Sequence, residues 1–197
     1  HVCEEAKMLN LKVASHTSGG RGITVAVKNG IHSVEHGHWL DDETIELMAR
    51  NNTFYVPTLL VNERNFELSA NELFRSSKNW KWLELSREAK WISLEKAIKA
   101  KINIAVGTDS GFMLPHGSMN YREMEYLIKG GLSNMQAIKS ATQVGGKLLN
   151  LNVGTIEIGK QADILVVNGN PVEDIKILSD KKNIKVFKNG ELISDHS

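Results

Sequence analysis

The sequence predicts an α/β fold, the C-terminal half of a (β/α)8 barrel of the TIM type followed by strands of a small β-sandwich domain. Three observations carry that prediction. Short β-prone runs alternate with helical stretches along the first two thirds of the chain, the pattern of a parallel sheet with crossover helices. Three of those runs end in a histidine or an aspartate. Beyond Gly154 the texture changes to closely spaced β-runs around an Asn-Gly turn.

Each element can be justified in order. Residues 4–10 read as the end of a helix, so the chain is expected to begin in mid-fold. Residues 11–15 (LKVAS) form a β-run that ends at His16. The helical stretch at 24–28 is closed by Asn29 and Gly30, because glycine accepts the left-handed conformation past a helix end. Residues 31–35 form the next strand and end at His36 and Gly37. Asp41, Asp42 and Glu43 then crowd a helix start, where carboxylates satisfy free N–H groups and oppose the positive dipole end. Ile45, Leu47 and Met48 supply that helix with its inward stripe. Residues 53–56 (TFYV) are a third strand, stopped by Pro57.

The stretch 59–81 is polar and irregular in period, and it predicts a long loop of the lid or binding type. Trp80, Trp82 and Trp91 follow where a helix resumes, and are expected to anchor it on the core. Residues 102–106 (INIAV) form a fourth strand that runs into Gly107, Thr108 and Asp109. Helices are predicted at 121–129 and 134–149, the second opened by a capping box of Ser133 and Gln136. Residues 162–167, 184–187 and 191–193 are the terminal β-runs, with Asn189 and Gly190 forming a hairpin turn. The expected division is therefore 1–152 for the barrel portion and 153–197 for small-domain strands shared with a preceding segment outside the chain.

Composition removes several function classes. Lys and Arg total 24 against 23 Asp and Glu, a net charge of +1, which gives no electrostatic case for nucleic acid or an anionic membrane. No apolar run approaches the roughly 20 residues of a bilayer span. Cys3 is the only cysteine, so neither an internal disulfide nor a thiolate cluster can form.

The chemistry lies at the ends of the β-runs. His16, His36 and Asp109 occupy equivalent positions, and in a barrel the carboxyl ends of the strands converge on one pocket. Imidazole and carboxylate together suit zinc and similar divalent ions. These three are the expected metal ligands.

The motifs that hold them also carry a resemblance. VASH (13–16), IHSVEHG (31–37), VGTDSG (106–111) and GTIEIGKQADILVV (154–167) closely resemble the amidohydrolase superfamily in order and spacing. The likeness is to the imidazolonepropionase-like branch, which includes Xaa-Pro dipeptidases and metallo-carboxypeptidases, and it runs over nearly the whole chain. The resemblance implies that His16 and His36 bind one metal and that Asp109 binds the other or the sole one. One or two zinc ions are implied, and the second needs ligands absent from this chain. The family's His-x-His pair and bridging lysine have no counterpart here, so the isolated chain is expected to be inactive.

The implied reaction is metal-assisted hydrolysis of amide C–N bonds in a small molecule or short peptide. A dipeptidase or carboxypeptidase is the leading expectation. A deaminase, a cyclic-amide hydrolase or an inactive homologue are the alternatives. Asp109 is the expected catalytic proton carrier. His116 resembles a family position near substrate and is a candidate substrate contact. His32 is expected deeper in the wall as a structural group, and His38 as a rim hydrogen bond. Thr108 and Ser110 are candidates for orienting Asp109. A homo-oligomer is compatible with the sequence, and a cytoplasmic location is expected if the preceding sequence lacks a signal peptide.

Overall fold

The computed structural model of the chain describes residues 1–68, 78–111, 114–117 and 119–195. After a first helix, α1 (Val2–Met8), come β1 (Ala14–Gly19), α2 (Arg21–Lys28), β2 (Ser33–Trp39), α3 (Asp42–Asn51) and β3 (Phe54–Val56). The three strands form one parallel sheet in the order β1-β2-β3. This is the crossover arrangement that the alternation of β-runs and helices predicted.

Local chemistry explains why the crossover helices form where they do. The Asp41 carboxylate accepts the N–H of Thr44 at 2.8 Å and opens α3, while Asn52, at φ 54°, closes it. Ile45, Leu47 and Met48 are buried from α3, and Ile23 and Val27 from α2. Side by side, the two helices are tied by Thr24 and Thr44, whose hydroxyls lie 2.8 Å apart. Val34, Tyr55, Leu94, Ala97 and Leu127 complete the same core between sheet and helices.

Several expectations need correction. The predicted loop at 59–81 is instead helical at both ends: α4 (Leu59–Leu68) begins directly after β3, and α5 (Lys78–Lys99) follows. Residues 69–77 lie outside the described residues. The misreading has a physical cause. Among the buried residues of α4 are Asn62 and Glu63, so its inward face does not register as an apolar stripe. The tryptophans also diverge. Trp80 is buried on Phe66, Trp82 lies half exposed against His38 and Trp39, and Trp91 donates to Glu63 at 2.9 Å.

Strand boundaries shift as well. β1 starts at Ala14, because Leu11 is exposed and its N–H is spent on the Ala6 carbonyl of the preceding turn. His16 therefore lies inside the strand rather than past its end. β2 runs on through His36 to Trp39. The run at 102–106 is reduced to a single parallel bridge between Tyr55 and Ile104, with the Ala105 N–H donating to the Tyr55 carbonyl at 3.0 Å.

Next come α6 (Asn120–Lys129), α7 (Asn134–Ala141) and α8 (Gln143–Leu149). The predicted helix at 134–149 is thus split, with Thr142 at φ −122° between the halves. Its capping box is present: Ser133 and Gln136 each bond the other's backbone N–H. β4 (Ile164–Val167), β5 (Ile184–Lys188) and β6 (Glu191–Asp195) form a separate antiparallel sheet, β5 and β6 joined at Asn189 and Gly190. Leu165, Val166, Leu192 and Ile193 are all at least half exposed on it. Among the described residues no helix is long and apolar enough to cross a membrane.

Candidate metal centre

β1 and β2 bring the two predicted histidines together. Their rings meet edge to face with centroids 4.4 Å apart, and the strand register sets His16 beside Glu35 and Thr17 beside His36. His16 is exposed, whereas His36 is only 9% exposed.

His36 owes its aim to a break in the strand's regularity. Both His36 and Gly37 have positive φ, 68° and 50°. That conformation is uncommon for a residue with a Cβ. Gly37 is required beside it, since a Cβ there would meet the Tyr55 ring at 2.9 Å and Val34 at 3.0 Å. The bulge is pinned by the Tyr55 hydroxyl, which lies 3.1 Å from the carbonyl oxygens of both His36 and Gly37. Tyr55 is fully buried, and burial pushes its phenol well above the usual range, so it remains a donor.

Behind His36 lies a buried polar cluster. His36 Nδ1 sits 2.7 Å from Thr58 Oγ1, which leaves Nε2 as the free ring nitrogen. Lys90 Nζ donates to the Thr58 carbonyl at 3.2 Å, to its hydroxyl at 3.3 Å and to Asn62 Oδ1 at 2.6 Å. That last bond fixes the Asn62 amide, whose nitrogen faces His38 Nε2 at 3.2 Å. His38 is therefore buried in this cluster, not a rim residue, and its Nδ1 has no hydrogen-bond partner among the described residues. The Glu123 carboxylate accepts the N–H groups of Leu59 at 2.9 Å and Leu60 at 2.7 Å.

Burial sets the electrostatics. It lowers His36 to about 4, helped by the charges of Lys90 and His16 and opposed by Asp109. His38 is lowered to about 3, again chiefly by burial and then by Lys90. Both imidazoles are therefore neutral at pH 7, the form that ligates a metal. Burial also pulls Lys90 down and pushes Glu123 up, and each opposes the other's shift. The three oxygens around Lys90 and the two N–H groups on Glu123 offset that desolvation. Glu35, beside His36, is raised by burial and by Asp109, against a 2.5 Å hydrogen bond from Ser33.

Asp109 is exposed and left-handed, φ 53°, and its charge acts on Glu35, His36 and Lys90. It thus lies in the same field as the histidines. As they stand, no three His, Cys, Asp or Glu side chains among the described residues converge closely enough to hold an ion. The donor set of two imidazoles and a carboxylate suits a divalent cation such as zinc, and the edge-to-face pair fits shared ligation.

The other sequence candidates fall out differently. His116 is exposed on the loop after Asp109, with its ring against Gly111. Thr108 and Ser110 bond each other at 2.7 Å. His32 accepts the Val13 N–H at 2.9 Å, which ties it to the backbone of the neighbouring run, and it is half-buried rather than deep in the wall. Sequence reasoning missed Thr58, Asn62, Lys90 and Glu123. Their only advance signal was a β-branched residue directly after Pro57 and two charges in otherwise helical stretches.

The model of the amidohydrolase family matches residues 1–193. Ochratoxinase from Aspergillus niger is 32% identical over 196 residues, which cover 97% of this chain and 40% of that protein. Its crystal structure superposes with a TM-score of 0.87 at 31% identity, over 98% of this chain and 44% of that one. A Xaa-Pro dipeptidase crystallised with methionine in its active site gives a TM-score of 0.83 at 36% identity, over 98% of this chain and 47% of that one. A 5-methylthioadenosine/S-adenosylhomocysteine deaminase from Thermococcus sibiricus is 30% identical over 145 residues, 68% of this chain and 28% of that protein. The chain thus spans less than half the length of these relatives.

Proposed function

The chain belongs to the amidohydrolase family, and on that premise we propose that it carries one side of the active site of a metal-dependent hydrolase of amide C–N bonds. The observation that carries this reading is the pair of imidazoles, His16 and His36, 4.4 Å apart beside the charge of Asp109. His16 and His36 would hold a divalent ion, zinc by donor chemistry, with Asp109 as its carboxylate ligand. The chain covers 40% of ochratoxinase, so the complete site is read as drawing on more polypeptide than these residues.

When bound, the ion supplies Lewis acidity, acidifying water and polarising the scissile carbonyl. The chain's own residues do the rest. Asp109 takes a proton from the attacking water as the new C–O bond forms, and returns it to the leaving nitrogen as the C–N bond breaks. Its exposed position on the rim suits a group that must reach solvent, substrate and leaving amine in turn. His116, whose ring lies near Gly111 on the same loop, would contact the substrate.

The substrate class proposed is a short peptide or N-acyl amino acid, which makes the complete enzyme a dipeptidase or carboxypeptidase. The complete enzyme is loaded with zinc and screened against Xaa-Pro dipeptides, other dipeptides and N-acyl amino acids, with release of the free amino acid as readout. Zinc-dependent release that disappears in Asp109→Asn is the expected result. Ammonia release from amino-purines, with every amide left intact, would contradict the peptidase reading.

A further inference from the structure

The turn beneath His36 is held by two buried ionisable side chains that belong to no ligand motif. Lys90 comes from the middle of α5 and Glu123 from the first turn of α6, and they are 1% and 0% exposed. Both converge on three consecutive residues. Lys90 donates to the carbonyl and hydroxyl of Thr58, while Glu123 accepts the N–H groups of Leu59 and Leu60. Thr58 itself sits at φ 50°, an outlier for a β-branched residue. Such a conformation costs on the order of 1–3 kcal/mol and persists only where its surroundings over-determine it.

Starting a helix does not require this arrangement. A local Ser or Asp cap would satisfy the first N–H groups of α4 without burying a charge. Here the carboxylate arrives from 63 residues away and a lysine from 32, and each must be desolvated. What the arrangement does fix is the Thr58 hydroxyl, held 2.7 Å from His36 Nδ1. Metal-binding imidazoles are oriented in this way, by a partner on the nitrogen that does not ligate.

We propose that Lys90 and Glu123 are positioning residues that together clamp the Thr58 turn, so that the Thr58 hydroxyl holds the His36 ring with Nε2 free for a metal ion. This rests on the assignment of His36 as a ligand. Neither residue touches substrate or ion. Lys90 holds the carbonyl side of the turn and Glu123 its N–H side, and loss of either lets Thr58 relax from its left-handed conformation.

The test measures zinc affinity of the complete enzyme by competition with a chromophoric chelator, with Tm recorded alongside. Thr58→Val should raise the zinc Kd about 10- to 100-fold, the usual effect of losing a ligand's hydrogen-bond partner. Thr58→Ser should recover most of that loss. Lys90→Met should raise the Kd about 10-fold, and the double variant with Thr58→Val should lose no more than Thr58→Val alone, because both act through one bond. Should Lys90→Met fail to fold, the isosteric Glu123→Gln replaces it in the cycle. A clamp variant that lowers Tm but keeps the wild-type zinc Kd, or losses that multiply in the double variant, would overturn the proposal. His36→Ala separates the two layers. Wild-type zinc affinity in His36→Ala contradicts the ligand assignment and takes the clamp with it. Weakened affinity there, with none in Lys90→Met or Glu123→Gln, contradicts the clamp alone.

Discussion

The two sides of the candidate site are built on opposite principles. On the β2 side, His36 is buried and tied through Thr58 to Lys90, with Tyr55 pinning its backbone. On the rim, His16 and Asp109 are exposed, and His16 meets the His36 ring edge to face. The difference teaches that one proposed ligand is pre-oriented by the protein interior, whereas the other two proposed ligands stand in solvent. Substitutions on the interior side should therefore cost stability, and substitutions on the rim should cost chemistry.

The largest effect is expected on the rim. Asp109→Asn keeps a side chain that tolerates φ 53° but can neither carry a proton nor ligate as an anion. Turnover should fall about 100- to 10,000-fold, the usual contribution of a general acid-base group, with Tm essentially unchanged. Kinetics and thermal unfolding on the same preparation check this, and a large fall in Tm would break the comparison. On the interior side the pattern reverses. Glu123→Leu strands the N–H groups of Leu59 and Leu60 and leaves Lys90 without the carboxylate whose charge acts on it most strongly. Breaking such a buried arrangement costs about 3–5 kcal/mol, which urea unfolding would read directly.

Acid should sharpen the contrast next. In the metal-free protein His36 and His38 are held neutral, their folded-state values lowered to about 4 and about 3 from an ordinary 6.5. As pH falls below 6.5 the unfolded chain takes up protons that the folded chain refuses, so stability is present above that pH and lost through about pH 4 for His36 and about pH 3 for His38. The slope approaches about 1.4 kcal/mol per pH unit for each group. Urea midpoints between pH 7 and 4 test this, and His38→Gln should flatten the profile. The smallest effect lies away from the site. Asp41→Ala removes the cap of α3 and should cost about 1 kcal/mol with zinc binding unchanged.

Legibility in the sequence followed the same division. The proposed rim ligands stood out because each sits in a short motif at a β-run, and the crossover helices because Asp41 and the Ile45, Leu47 and Met48 stripe act within one helix. The clamp was not readable. Lys90 and Glu123 lie in helical stretches where a charge normally faces water, and their partners are tens of residues away in sequence. The helix at 59–68 was hidden for a related reason, since Asn62 and Glu63 point inward. The run at 102–106 looked like a full strand from its apolar residues, yet only the bridge at Ile104 forms. Strand length depends on the pairing partner, which local composition does not contain.

The central claim is that His16, His36 and Asp109 share a divalent ion. Crystals of the complete enzyme grown with zinc, with data collected at the zinc absorption edge, test it most directly. An anomalous peak about 2.0–2.2 Å from His36 Nε2, an imidazole nitrogen of His16 and an Asp109 oxygen is the predicted result. A peak that avoids both histidines, or zinc bound equally well by the His16→Ala, His36→Ala variant, would contradict it.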